Sequence, residues 1–339
     1  MIRSQASSMF SDISAEACVE TASRPRVSVI IPAFNAAEFI AQTLESVFAQ
    51  TFPKYEVIVV NDGSPDTTDF EKSLAPYINR LVYLKQENLG PSVARNAGIL
   101  KAQGEFVAFL DSDDVWESNY LSVQMTTFDE SPALDLIYAD ALLIGEGVPP
   151  GLTFMKAAPS KGPVTFESLL CGDCSIITSC VVARKASLLK AGLFDPEFVR
   201  SEDLHLWLRV AHSGGSLAYQ ADVVARHRVH GSSLSADMTR MFKSQIDVFE
   251  KLQCELALTA PQTRAVAEAV RRSRAHIEFH RGKQQFESGN YRQAVIALRA
   301  ANEYYRSPKL RFVLGGLRVA PRVLGLAYRL REAARARHD

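Results

Sequence analysis

Four short apolar runs rich in β-branched residues, each ending abruptly in polar or turn residues and separated by helical patterns, constrain this 339-residue chain more than any other feature. Val27–Ile31 closes on Pro32. Glu56–Val60 runs into Asn61-Asp62-Gly63-Ser64-Pro65, Leu81–Leu84 follows, and Phe106–Leu110 runs into Asp111-Ser112-Asp113-Asp114. Continuous runs of this length suit strands buried on both faces. Between the first two, Phe39, Ile40, Leu44, Val47 and Phe48 share one helical face, and a second helical pattern opens near Pro91 and ends near Ala102. Such alternation predicts an α/β fold with a mostly parallel sheet flanked by helices. In open sheets of this kind the ligand sits beyond the carboxyl ends of the strands, so Phe34-Asn35, Asn61-Asp62 and Asp111–Asp114 should converge there.

Charge and cysteine content narrow the class. Basic and acidic residues balance at 38 each, which argues against a nucleic-acid partner. Five cysteines, an odd number in a long chain, do not describe a disulfide framework, and Cys171-Gly-Asp-Cys174 lacks two further ligands at metal spacing. With no secretory signal and no apolar run of about 18 residues, a reducing, cytoplasmic setting is expected. Residues 1–24 read as a loose, disordered leader. Residues 145–165, rich in Gly, Pro and Lys, read as a mobile loop. Order resumes over 166–235, with a helix at Phe166–Leu170, a strand near Ser175–Ala183 and a helix from about Ser201. From residue 236 the pattern is helical to residue 339, and His280–Ala300 has the form of a single tetratricopeptide-like helix-turn-helix.

The strand-end carboxylates carry the chemistry. Asp111, Asp113 and Asp114 repel one another, an arrangement that suits a divalent cation or, alternatively, an acidic turn capping the next helix. VSVIIPAFNAAEFIAQTLESVFAQ, VIVVNDGSPDTT, ENLGPSVARNAG and GEFVAFLDSDD, in that order, resemble the family-2 inverting nucleotide-sugar glycosyltransferases of the GT-A fold, over roughly residues 26–235. The resemblance implies a GT-A domain at 25–235, with a nucleotide-binding half at 25–114 and an acceptor half at 115–235, followed by an all-helical C-terminal extension at 236–339.

By the same resemblance, Pro32, Ala33, Phe34 and Asn35 cradle the nucleoside and Asp62 contacts its base or ribose. Asp111 lies near the ribose, and Asp113 holds the Mn2+ or Mg2+ that bridges the diphosphate. Arg95 either neutralises phosphate charge or pairs with a carboxylate. Ser201-Glu202-Asp203 with Leu206, Trp207 and Arg209 is similar to the family's ED-x-x-x-W-x-x-R element. Asp203 is then the base that takes the acceptor proton, and Glu202 a supporting or acceptor-orienting carboxylate. A Ser201-capped acidic first turn would be written the same way. His230 would complete the metal shell or touch the diphosphate, with Arg228 on the same strand face, and the Gly and Ser residues after it suit a loop that closes over nucleotide.

The activity implied is metal-dependent transfer of a hexosyl or N-acetylhexosaminyl group from a nucleoside diphosphate sugar, UDP by family habit, to a glycan or lipid-linked glycan hydroxyl in cell-surface polysaccharide or lipopolysaccharide assembly. A polyprenyl-phosphate sugar synthase is a rival within the class. A catalytically retired nucleotide-sugar-binding protein would lack the Glu202-Asp203 pair, and a nucleotidyltransferase would show a Gly-rich basic signature where Pro32-Ala-Phe-Asn35 stands. The tail from Arg306 to Asp339 carries nine Lys or Arg against two acids, interleaved with Phe, Val and Leu. That pattern suits either peripheral contact with an anionic bilayer, at the inner face of the plasma membrane, or a terminal helix packed on the rest of the protein.

Overall fold

The structure, a computed structural model, describes residues 24–231 and 237–326. The expected leader therefore lies, but for Arg24, outside the described residues, as do most of the Gly-Ser loop after His230 and the last part of the basic tail.

The first half follows the alternation in the sequence: β1 (Val27–Ala33), α1 (Ile40–Phe48), β2 (Tyr55–Asp62), α2 (Thr67–Leu74), β3 (Val82–Gln86), α3 (Pro91–Lys101) and β4 (Phe106–Phe109). Its strands pair in parallel in the order β3-β2-β1-β4. The second half contributes β5 (Val115–Trp116), α4 (Tyr120–Glu130), β6 (Leu136–Gly145), α5 (Phe154–Ala157), α6 (Phe166–Cys171), β7 (Val181–Arg184), α7 (Lys185–Lys190), α8 (Glu202–His212) and β8 (Leu217–Val229). It continues the sheet as β4-β7-β6-β8-β5 and makes it mixed: β7 runs antiparallel to β4 and β6, β8 parallel to β6, and β5 antiparallel to β8.

Alternate residues of the strands feed two apolar layers, as a period of two requires. Ile30, Ile58, Val60, Val107 and Phe109 pack with Ala94 and Ile99 of α3 and Trp207 of α8. Val29, Ile31, Val57, Val59 and Ala108 face Leu44 and Val47 of α1 and Met125 and Phe128 of α4. Because both faces are covered, β1 and β2 read as unbroken apolar runs.

Two local expectations are corrected. The strand placed near 175–183 begins only at Val181, because Thr178–Cys180 form a 3-10 turn. The segment at 145–165 is folded back on β6 rather than loose. Leu142 bridges Thr153, Asp140 Oδ1 accepts from Met155 N at 2.9 Å, and the Tyr138 and Ser160 hydroxyls lie 2.6 Å apart. Asp140 and Tyr138 are buried, and polar groups in such places recruit partners from whatever chain is near.

Beyond β8 come α9 (Met238–Glu255), α10 (Ala260–Glu287), α11 (Tyr291–Tyr305) and α12 (Pro308–Val319). Val248, Phe249 and Leu252 of α9 and Val266 and Ala269 of α10 join the same core cluster as Trp207. The turn at 288–290 joins α10 to α11 as the sequence pattern predicts, with Gly282 lying against Leu298.

Helix α3, which brings Arg95 to the sheet, is seated by a glycine. A Cβ on Gly98 would stand 2.5 Å from Ile30 Cγ2. Gly98→Ala is expected to lower unfolding free energy by about 1–3 kcal/mol through overpacking, read from urea denaturation.

Candidate functional site

The rim is built where three parallel strands end side by side. Pro32 and Ala33 stand opposite Val60 and Asn61, and Phe34, 49% exposed, projects past the sheet. Asn35 has a left-handed backbone (φ 53°) and its N–H donates to Ser64 Oγ at 2.6 Å, while Ala37 N–H donates to Asp66 Oδ2 at 2.8 Å. These bonds lace the loop after β1 to the loop after β2. Asp62 is buried and accepts from Gln86 Nε2 (2.8 Å), Leu89 N (2.9 Å) and Gly90 N (2.8 Å). Both its oxygens thus shape the loop entering α3, a placement the sequence did not suggest. Gly63 permits the approach: at φ 63°, any Cβ there would lie 2.4 Å from Asn88 N.

The acidic turn after β4 divides into three roles. Asp114 has no exposed surface and is spent internally, accepting from Arg228 N at 2.8 Å and facing His227 Nδ1 at 2.9 Å. Burial works against charge on His227, but the hydrogen bond and charge of Asp114 outweigh it and raise its pKa. Asp111 pairs with Arg95. Asp113 remains at the rim with His230, whose Nε2 lies 2.8 Å from Asp113 Oδ2 and whose ring stacks on Phe39. Burial first, then the charges of Asp114 and Asp111, push the Asp113 carboxyl above its usual range, while His230 pulls it back. A carboxylate crowded by like charge, beside an imidazole nitrogen, fits a divalent cation, which would relieve that repulsion. Thr43 Oγ1 holds the turn from below, donating to Ser112 O and Asp114 O at 2.9 Å each. Arg228 holds it from β8: its Nε donates to Asp113 O at 3.0 Å, and Nη2 to Gln42 Oε1 at 2.8 Å. Its guanidinium also lies over the Phe39 ring, 4.9 Å from the centroid.

Arg95 joins the two halves of the site. Its Nη2 donates to Asp111 Oδ1 and its Nη1 to Glu202 Oε1, both at 2.7 Å, and its side chain is only 6% exposed. Of the two roles the sequence left open, the structure shows the carboxylate pairing. Burial opposes its charge; Asp111 and Glu202 outweigh that and keep it protonated. Glu202 is likewise buried, with its Oε1 on Arg95. Burial pushes its carboxyl up to about 7 against the pull of Arg95, with Asp203 adding to the rise.

Asp203, next in the chain, is less enclosed. Its Oδ2 accepts from Thr178 Oγ1 at 2.9 Å and its Oδ1 from Leu204 N at 2.7 Å. Ser179, beside Thr178, accepts Asp111 N–H on its Oγ at 3.1 Å, so the 3-10 turn touches both Asp203 and the acidic turn. Ser201 does not cap α8: its backbone is left-handed (φ 56°) and its buried Oγ makes no hydrogen bond, so the capped-turn reading fails. Thr43, Ser179, Thr178 and Asp114 were missed because their roles arise only from contacts across the fold. Asp114 alone had a signal, as the third acid of the turn.

A second cluster, Asp195, His205 and Glu255, has ligand atoms within 4.8 Å of one another. Lys251 already supplies its countercharge, with Nζ 2.5 Å from Asp195 Oδ2 and 2.6 Å from Glu197 Oε2. His205 is held neutral there, its pKa lowered to about 4 by burial and then by Arg209. Through His205 Nε2 and Glu255 Oε2, 3.2 Å apart, the cluster ties α9 to α8.

Residues 28–142 match the family described as Glycosyl transferase family 2. The UDP-Glc:alpha-D-GlcNAc-diphosphoundecaprenol beta-1,3-glucosyltransferase WfgD of Escherichia coli is 32% identical over 224 residues, spanning 66% of this chain and 84% of that protein. Among solved structures, S. aureus TarS 1–349 in complex with UDP-GlcNAc is similar at a TM-score of 0.60 and 22% identity, covering 88% of this chain and 89% of the other. The mannosyltransferase PcManGT from Pyrobaculum calidifontis, in complex with GDP-Man and Mn2+, is similar at 0.60 and 19% identity, covering 92% and 85%. Both likenesses show the GT-A fold.

Two outcomes follow from the buried charges. Arg95→Met leaves Asp111 and Glu202 without a shared cation and should cost about 3–5 kcal/mol in denaturant unfolding. Glu202 binds its proton more tightly folded than unfolded, so the stability it confers is present at low pH and lost as pH rises through about 7. The melting temperature should therefore fall more steeply between about pH 5 and 8 in the wild type than in Glu202→Gln, measured by calorimetry.

Proposed function

The chain belongs to the family-2 glycosyltransferases, and on that footing we propose that it is an inverting, cation-dependent enzyme. In this reading it moves a hexosyl or N-acetylhexosaminyl group from a UDP-sugar to a hydroxyl of a glycan or lipid-linked glycan in cell-surface polysaccharide assembly, at the cytoplasmic side. The observation that carries the reading is the gathering of Asp113 and His230, the Asp111-Arg95-Glu202 triad and Asp203 along one continuous set of contacts. The name of WfgD gives UDP-Glc as donor and a diphosphoundecaprenol-linked sugar as acceptor, which supports the donor and acceptor classes. The two solved structures hold UDP-GlcNAc and GDP-Man with Mn2+, so this fold accommodates either base and a divalent cation.

Asp113 and His230 are the residues that would hold Mn2+ or Mg2+. When bound, the cation supplies Lewis-acid stabilisation of charge on the leaving diphosphate. Pro32, Ala33, Phe34 and Asn35 line the nucleoside side of the rim, where the exposed Phe34 ring offers an apolar face. Asp62 keeps the loop at 86–90 in shape beneath it, and Asp111 faces the ribose. Asp203 is the base. It takes the proton of the acceptor hydroxyl as that oxygen bonds to the anomeric carbon and the bond to the diphosphate breaks, inverting the configuration. Thr178 donates to the Asp203 carboxylate and aims it; Glu202 fixes the start of α8 through Arg95.

Separate variants distinguish these roles. Asp113→Ala should weaken donor binding and abolish transfer, and chelation should mimic it. Asp203→Asn should retain donor binding by calorimetry while the transfer rate falls by about 10²–10⁴. Normal turnover by Asp203→Asn would remove the base assignment.

A further inference from the structure

The last helix of the described chain is turned apolar side out. Leu310, Leu314 and Leu317 of α12 bury one face in a small cluster with Leu298 of α11. On the opposite face Phe312 is 84% and Val319 87% exposed, and the helical turn at 321–326 adds Val323 at 67% and Leu326 at 54%. Phe312, Val319 and Val323 are the three most exposed large apolar side chains among the described residues. At 100° per residue, Phe312, Gly315 and Val319 fall within an arc of about 60°. Lys309 borders that arc on one side, and Arg311 and Arg318 border it on the other.

A helix that merely covers a soluble core points its charged side to water. Here the core takes one apolar face, solvent meets a second, and the cations lie along its edges. Charge over the whole segment has one sign: between Glu303 and Glu332 the sequence has no acidic residue and seven Lys or Arg. An apolar strip with cationic margins matches the boundary between acyl chains and anionic headgroups, where the strip can sink and the margins can meet phosphates. No helix among the described residues is long and apolar enough to cross a membrane, so the contact is with a surface.

We propose that α12 and the helical turn after it dock the protein on an anionic phospholipid bilayer, with Phe312, Val319, Val323 and Leu326 at the acyl boundary and Lys309, Arg311, Arg318 and Arg322 on lipid phosphates. The inference stands apart from sugar transfer, since docking requires neither donor nor acceptor. Its consequence for transfer is that a lipid-linked acceptor and the active site would share one surface.

Sedimentation of the full-length chain with vesicles tests this directly, without nucleotide. Phosphatidylcholine vesicles containing phosphatidylglycerol should bind the wild type, pure phosphatidylcholine should bind it much less, and added salt should weaken the first. Phe312→Ser with Val319→Ser should lower partitioning at least about tenfold, and Lys309→Gln or Arg318→Gln about fivefold each. Circular dichroism and transfer to a soluble acceptor should stay unchanged in these variants. Failure of the wild type to bind anionic vesicles, or equal binding by the serine double variant, would overturn the proposal. So would sedimentation velocity showing that the double variant turns a dimer into a monomer while neither form binds vesicles, since a second copy would then cover the strip.

Discussion

A single buried cation holds the site together. Arg95 lies on a helix from the first half of the chain, and its guanidinium spans Asp111, at the end of a strand in the same half, and Glu202, at the start of α8 in the other. Burying a guanidinium is costly unless its charge is met, and here Asp111 and Glu202 meet it at Nη2 and Nη1, leaving Nε without a hydrogen bond. The start of α8 therefore has one favourable position relative to the acidic turn. Asp203, the next residue, inherits it. The placement of α8 against the acidic turn thus rests on an ion triad.

The same economy governs the rest of the rim. Asp114 and Asp62 are acidic but look inward, one anchoring β8 and the other the loop into α3. Arg228 and Thr43 fix the turn that carries Asp113. What stays at the open edge is Asp113 with His230: Asp111 and Asp114 have their own partners in Arg95 and His227, while the Asp113 carboxylate has no Lys or Arg partner among the described residues. In the neighbouring cluster of Asp195, His205 and Glu255 the fold does the opposite and supplies Lys251. That contrast separates the two clusters. It also explains why the helical extension matters: Lys251 belongs to α9, which braces α8 from behind.

Much of this was legible in the sequence because the informative residues sit where regular structure stops. The strands announced themselves as β-branched runs, and their polar ends named Asn35, Asp62, Asp111 and Asp113. The pair Glu202-Asp203 could be found, but not the difference between them, since only burial against Arg95 separates Glu202 from the less enclosed Asp203. Thr178 and Ser179 gave no signal, because a hydroxyl in a 3-10 turn becomes useful only when α8 and β4 close on it. The stretch at 145–165 looked loose for the same reason: its partners, Tyr138, Asp140 and Leu142, are distant in pattern though near in sequence. The outward apolar face of α12 was invisible as well, since composition shows an amphipathic segment but not which side the core has taken.

Crystals of Asp203→Asn grown with Mn2+ and a UDP-sugar would test the account most directly, with manganese located by its anomalous scattering. One strong peak is expected within direct coordination distance of an Asp113 oxygen, about 2.1 Å, with the diphosphate beside it and the anomeric carbon facing the substituted position 203. A peak at Asp195 and Glu255 instead, or a donor bound away from Asp113, would contradict it.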